Sequence, residues 1–286
     1  MMTEEEYALF KILMDKEFGI VLKGDGRMTL HAKLSPRLTR LNLTSYRDYY
    51  DLVTSNPSGD ELSNFISQVT NNETYFLREK GGIALFGSLL NEVKRYRQKK
   101  DQKRITVISA GCSTGEEAYT LSITLIESGL FAWGWDVKIV GVDVNSAALK
   151  KARNAVYKED SFRGLRGDEE FPQKYFDRED GVYVLKRPYR SRVEFRHGNI
   201  LDPHALDGTG DIDVIFCRNV FIYMSDAAVR CIAENFCSRL ADDGYLVIGS
   251  AESLLNKTEL FIPEHKGGSI VYRKNLRPSL RRRWGE

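Results

Sequence analysis

Between Thr3 and Thr70 apolar residues recur at helical spacing, as at Leu9, Phe10 and Leu13 and again at Tyr46, Tyr49, Tyr50, Leu52 and Val53, with little alternation. This predicts a small all-α domain, assigned to residues 1–75. Its internal breaks are Gly24 with Gly26 and the run Ser55-Asn56-Pro57-Ser58-Gly59, both strong turn signals. The pattern then changes. After a helical stretch ending in the basic run 94–103, ITVISA is a short β-branched segment of the kind buried in a parallel sheet. From there the elements alternate: strand 105–110, helix 116–128, strand 137–142, helix 146–154, strand 214–217, helix 227–240 and strand 245–248. Strands separated by helices predict right-handed βαβ crossovers and a Rossmann-like, doubly wound α/β sheet, placed in a second domain over 76–286. Within it, VYVLKRPYRSRVEF reads as short strands with charged exposed positions, a small antiparallel insertion over 171–195. Gly267-Gly268 between two strand-like runs predicts a terminal hairpin, and RPSLRRRWGE reads as a frayed tail or, alternatively, as arginines for a partner.

Composition adds mainly exclusions. At 286 residues, 42% hydrophobic and 29% charged, the chain has the make-up of a globular protein of one or two domains. A net charge of +2 gives no reason to expect nucleic acid as a bulk partner. Cys112, Cys217, Cys231 and Cys237 form no CxxC pair and read as small core residues of a reducing compartment. The N-terminus starts acidic, without the basic flank of a secretory signal, and no apolar run approaches the roughly 20 residues of a membrane span. A cytoplasmic monomer without membrane insertion is expected.

Candidate chemistry gathers at the strand ends. Gly111 and Gly115 between a strand and a helix bring backbone close to a ligand at the carboxyl edge of the sheet. The loop lacks both GxGxxG and GK[ST], and the helix opens with Glu116 and Glu117, which repel phosphate but suit a cationic group. Asp143 at the tip of the second strand suits ribose hydroxyls, and Asn199 could meet an adenine edge. Arg218, Asn219 and Tyr223 follow an apolar strand into the same crevice. Singly, each has a plain reading as turn residue, N-cap or packed aromatic. Together they favour one ligand, S-adenosylmethionine, which carries an ammonium and a sulfonium and no phosphate. No metal site is expected.

These residues also resemble a family. NNETYFLRE is similar to N-x-T-x-F-F-R-E, SAGCSTGEEAY to the cofactor loop, FCRNVFIY to a later strand and loop, and DDGYLVIGSAES to the final G-x-x-x-x-G-x-S-E-S of the chemotaxis receptor methyltransferases, the CheR-type protein-glutamate O-methyltransferases. The resemblance spans nearly the whole chain, with departures at Leu77, Lys80 and Ala118. It implies that Asn72, Thr74 and Arg78 reach the cofactor from the domain junction, that Glu116 holds the methionine ammonium and Asp143 the ribose, and that Asn199 and Ile200 hold the adenine. Arg218 and Asn219 complete the pocket, and Arg78 and Tyr223 stand nearest the transferred methyl. The implied reaction methylates glutamates on the cytoplasmic helices of chemoreceptors, leaving S-adenosylhomocysteine. A glutamate carboxylate, with a reference pKa of about 4.3, needs no general base.

Lys33, Arg37 and Arg40, at i, i+4 and i+7 with Arg27 and Arg47 flanking, share a helix face that is either solvated or a receptor-docking surface. The segment around 186–191 reads as the turn of the insertion and has no glycine, unlike the loop of members that bind a receptor's C-terminal peptide, so a tether-independent enzyme is expected. Two rivals keep the fold: a cofactor-binding regulator without transferase activity, and a methyltransferase for nucleic acids or small molecules. Against the latter, NPPY is absent and the basic residues do not interleave with aromatics.

Overall fold

Thr3 opens the first helix by accepting from the Glu6 amide while the Glu6 carboxylate accepts from the Thr3 amide, and Gly19 ends it in the left-handed region, giving α1 over Glu4–Phe18. The side chains of Asp25 and Ser45 cap α2 (Gly26–Arg40) and α3 (Tyr46–Ser55) by accepting from the Met28 and Asp48 amides, and α4 (Asp60–Val69) follows. Their apolar faces close on a core of Phe10, Met14, Leu30, Leu34, Tyr49 and Phe65. The computed structural model describes residues 1–56, 59–131, 133–165, 167 and 170–276, so Pro57, Ser58 and the arginine-rich tail lie outside the described residues.

After the junction 70–79, α5 (Lys80–Lys99) leads into the α/β part: β1 (Arg104–Ala110), α6 (Glu116–Glu127), β2 (Asp136–Asp143), α7 (Ser146–Asn154), β6 (Val193–His197), β7 (Ile212–Cys217), α10 (Asp226–Arg239), β8 (Leu240–Ile248), β9 (Phe261–Lys266) and β10 (Ser269–Lys274). The sheet order is β6-β2-β1-β7-β8-β10-β9, with β6 to β8 parallel and β10 antiparallel to both neighbours. Side chains alternate across it. Val107, Val214, Phe216 and Val247 meet α5 and α6 on one face, whereas Ile108, Ile215, Leu246 and Ile248 meet α10 on the other. This is the doubly wound architecture expected from the alternating pattern. The terminal hairpin turns at Gly267 and Gly268, both left-handed. Among the described residues, no helix is long and apolar enough to cross a membrane.

The insertion differs from the sequence reading. Its three-stranded sheet, ordered β3-β5-β4, starts earlier, with β3 at Val156–Tyr157, and continues through β4 (Phe176–Glu179) and β5 (Val182–Leu185). Between β3 and β4 lie a 3-10 turn (Glu159–Leu165) and the short α8 (Glu170–Tyr175). Val193 and Phe195 belong to the edge of the main sheet, where Phe195 lies over Gly141; an edge strand exposes one face and so imitates the alternation of a hairpin. The insertion's hairpin turn is Asp180-Gly181, both left-handed, and 186–191 contains instead the short helix α9 (Arg187–Arg190). The turn therefore has a glycine, and the ground for expecting tether independence is removed.

Candidate active site

A cavity of about 530 Å³ opens over the carboxyl ends of β6, β2, β1 and β7, where neighbouring crossovers diverge, and the helical part roofs it. The sheet supplies Gly111–Ser113, Glu117, Asp143, Gly198–Ile200 and Arg218–Val220, and Tyr223 follows on the same turn. The roof comes from the end of α1 (Phe18), the segment 20–23, Lys33 of α2 and the junction residues 69–74 with Arg78. The roof is attached by backbone. The Val21 amide donates to the Tyr223 carbonyl at 2.8 Å, the Ser225 amide to the Gly19 carbonyl at 2.9 Å, and Ile20 bridges Met224. Gly19 permits this approach, since a Cβ there would lie 2.4 Å from the Ala228 methyl.

Strain concentrates here. Leu77, Glu79, Ser113 and Asn219 are non-glycine residues at positive φ, all in the loops that form or support the cavity. The positive φ of Gly111 favours glycine, and a Cβ there would sit 2.6 Å from Val220 in the wall, so the wall would have to shift. Asp143 is fixed by two amides, its Oδ2 accepting from Ser113 and its Oδ1 from Asn145, each at 2.8 Å. Burial raises its carboxyl and these bonds oppose the rise.

The two glutamates at the start of α6 part company. Glu116 is buried outside the cavity lining, bonded by the hydroxyls of Thr114 at 2.6 Å and Ser161 at 3.0 Å. Glu117 faces the cavity, takes the Ser109 hydroxyl at 2.8 Å and lies 3.3 Å from the Arg218 guanidinium. Adjacent helical residues point about 100° apart, and here that turn sends the two carboxylates into different surroundings. The acid facing the cavity is thus Glu117, one residue beyond the position expected to hold an ammonium. Burial pushes the carboxyls of both upward, and for Glu117 the Arg218 charge opposes it.

Arg218 is the electrostatic hub. Besides Glu117 it reaches Glu79 at 3.2 Å and donates to the Arg78 carbonyl at 2.6 Å, tying β7 to the junction. Asn219 donates through Nδ2 to Glu79 at 3.0 Å, and Glu252 accepts from the amides of Asn219, Ile222 and Gly249. Burial lifts the Glu79 carboxyl, but the bonds from Asn219 and Ser250 and the Arg218 charge outweigh it and hold it below the ordinary range. Sequence reading named Glu117 beside Glu116 without choosing between them, and gave no site role to Glu79 or Glu252; for Glu252 the signal was present, as the acid of the GSAES stretch.

The remaining candidates are placed as follows. Asn72 sits in the lining, its Oδ1 accepting from the Asn145 side-chain Nδ2 at 3.3 Å, and Thr74 lines the cavity beside it. Arg78 lines the mouth, donates to the Glu73 carbonyl at 2.7 Å and lies 5.7 Å from the Tyr75 ring centre. Asn199 spends side-chain bonds on the Glu17 carbonyl and the Leu201 amide, so it joins α1 to the sheet as well as lining the cavity with Ile200.

The basic face of α2 is largely turned inward. Lys33, Arg37 and Arg40 do share a side of α2, but that side turns toward the cavity and α4. Lys33 lines the cavity and donates to the Val69 and Thr70 carbonyls, while Arg37 forms a largely buried pair with Glu61; of the three, Arg40 is the exposed one. Arg27 and Arg47 pair with Glu4 and Asp51. Arg37→Glu is therefore expected to destabilise the protein by about 2–3 kcal/mol in urea unfolding, by opposing Glu61, and an unchanged unfolding midpoint would contradict the buried pair.

The donor set fits a ligand with cationic and hydroxyl groups: two carboxylates at the sheet end of the cavity, Glu117 and Asp143, a short backbone loop and no phosphate cradle among the described residues. Residues 5–70 match the family described as CheR methyltransferase, all-alpha domain, and residues 72–267 that described as CheR methyltransferase, SAM binding domain. The chain is 30% identical over 261 residues to Chemotaxis protein methyltransferase 2 of Vibrio cholerae serotype O1, covering 91% of this chain and 89% of that protein. To Chemotaxis protein methyltransferase 1 of Pseudomonas aeruginosa it is 29% identical over 273 residues, covering 94% and 97%. To the Probable biofilm formation methyltransferase WspC of Pseudomonas putida it is 29% identical, covering 96% of this chain and 59% of that protein. Among solved structures, the glycopeptide N-methyltransferase MtfA in complex with S-adenosylmethionine aligns over 65% of each chain at 12% identity, with a TM-score of 0.33. The chain belongs to the CheR methyltransferase family, and its α/β part is the S-adenosylmethionine-binding domain of that family.

Proposed function

We propose that this methyltransferase esterifies glutamate side chains on the cytoplasmic helices of chemoreceptors. The observation that carries the reading is a cavity with two carboxylates at its sheet end, Glu117 and Asp143, and Arg78, Lys33 and Tyr223 at the roof and mouth. When bound, S-adenosylmethionine supplies a methyl carbon on a cationic sulfur; a carboxylate oxygen bonds to that carbon, the carbon–sulfur pair returns to sulfur, and no proton moves. The protein's share is orientation and exclusion of water. Glu117 takes the ammonium and Asp143 the ribose hydroxyls, while Gly198–Ile200 flank the adenine. Arg78 and Lys33 attract the substrate carboxylate. Among the described residues Lys33 bonds to backbone carbonyls and has no acidic partner, and burial lowers its pKa. Tyr223 orients the carboxylate through its hydroxyl. Contacts that stabilise the carboxylate too strongly would slow its attack, which favours two separate cations and a phenol over a bidentate clamp.

The test is transfer of labelled methyl from S-adenosylmethionine to receptor-bearing membranes, with alkaline release of the label diagnosing an ester. Cofactor binding without transfer would leave a regulatory protein of the same fold. In this assay Tyr223→Phe is expected to lower kcat about 10- to 30-fold with cofactor affinity unchanged, and Arg78→Ala to raise KM for receptor as well. Wild-type turnover in both variants would remove these residues from the reaction.

A further inference from the structure

We propose that Asn71 is a positioning residue that sets the direction of the Tyr223 hydroxyl proton, an inference that rests on the reading of Tyr223 given above. The Asn71 side chain bridges two elements. Its Oδ1 accepts from the Glu73 amide at 3.2 Å, and its Nδ2 lies 2.7 Å from the Tyr223 hydroxyl oxygen. A backbone amide can only donate, so the Glu73 contact decides which end of the Asn71 amide is oxygen. The nitrogen therefore faces Tyr223, and the phenol oxygen must accept. Its own proton is left to point elsewhere. Among the described residues no acceptor is in reach of it, and both Asn71 and Tyr223 line the cavity.

The backbone under Tyr223 is held just as firmly, by the Val21 amide on its carbonyl and its own amide on the Val220 carbonyl at 3.1 Å. The ring thus has a fixed base and a fixed tip, and the free hydroxyl proton points into the cavity. There it can donate to one oxygen of a substrate carboxylate, leaving the other oxygen for the methyl carbon. A phenol that accepts from Asn71 is also a better donor, since bonds in a chain polarise one another. Preorganised donors of this kind act without reorganisation at the moment of reaction.

Asn71→Asp tests the direction of the bond. The aspartate keeps the acceptor for the Glu73 amide and presents a second acceptor to Tyr223, which draws the phenol proton away from the substrate. In the full chain with receptor membranes, kcat is expected to fall about tenfold, while the Kd for S-adenosylhomocysteine stays within about twofold. The added charge also repels the substrate, so the decisive quantity is a double-mutant cycle with Tyr223→Phe. When Tyr223→Phe is already present, Asn71→Asp should lower kcat much less, because no hydroxyl proton is left to redirect and only the charge repulsion remains. An equal loss with and without Tyr223→Phe, or wild-type kcat for Asn71→Asp alone, overturns the positioning role while leaving that of Tyr223 standing. Wild-type kcat for Tyr223→Phe alone overturns both.

Discussion

Replacing Arg218 by Met is expected to cost about 3–5 kcal/mol of unfolding free energy at neutral pH, the penalty for removing one partner of a buried ionic cluster and leaving the others behind. The arginine side chain is 2% exposed and joins Glu117, 15% exposed, to Glu79, 26% exposed. It also caps the Arg78 carbonyl at 2.6 Å, so the junction loop and the end of β7 lose their common donor. Gly82 near the start of α5 lets the guanidinium lie flat against the helix, where a Cβ would come within 3.4 Å of Nε. A methionine of similar length fills that space without the charge. Urea unfolding at pH 7.5 measures the loss, and the cycle with Glu117→Gln apportions it: neutralising the stranded glutamate should recover part of the deficit. A loss below about 1 kcal/mol would mean that solvent already screens the cluster.

The same cluster marks where sequence reading stops. The alternating strands and helices, the all-α start and the loop ISAGCSTGEEA were legible because each depends on local periodicity and on residues next to one another in the chain. Which of Glu116 and Glu117 faces the crevice was not. That choice needs the rotation of α6 about its axis, and α6 is buried on nearly every side, at Ala118, Tyr119, Thr120, Leu121, Ser122, Ile123 and Leu125, so its periodicity carries no phase. For α2 the spacing of Lys33, Arg37 and Arg40 was enough to put them on one side of the helix. What occupies that face depends on Glu61 of α4 and on the junction carbonyls, contacts made across 24 and 36 residues of chain. The turn Asp180-Gly181 was a different matter: Asp-Gly between strand-like runs is a strong hairpin signal, and the charged segment after it was read in its place.

Glu117→Gln should weaken binding of S-adenosylmethionine about 30- to 150-fold, or roughly 2–3 kcal/mol, because the amide keeps the shape but removes the charge expected to hold an ammonium in a cavity of reduced dielectric. Glu116→Gln is the control. Its carboxyl is bonded by Thr114 and Ser161 outside the cavity lining, so affinity should change less than about threefold. Calorimetric titration of both variants distinguishes the assignments, and a larger loss for Glu116→Gln would restore the position expected from sequence. The pH dependence provides a second readout. Burial raises the Glu117 carboxyl, so the folded protein holds its proton to a higher pH than the unfolded chain does. Stability of the ligand-free protein from this group is fully present below the unfolded value of about 4.3 and falls as pH rises toward the raised value. Affinity for the cationic ligand moves the opposite way, rising over the same interval as the carboxylate forms. The thermal stabilisation given by saturating cofactor should therefore be greater at pH 8 than at pH 5 in the wild type. Much of that difference should disappear in Glu117→Gln and persist in Glu116→Gln; an undiminished difference in Glu117→Gln would assign the titration to another acid of the cavity, of which Asp143 is the nearest in character.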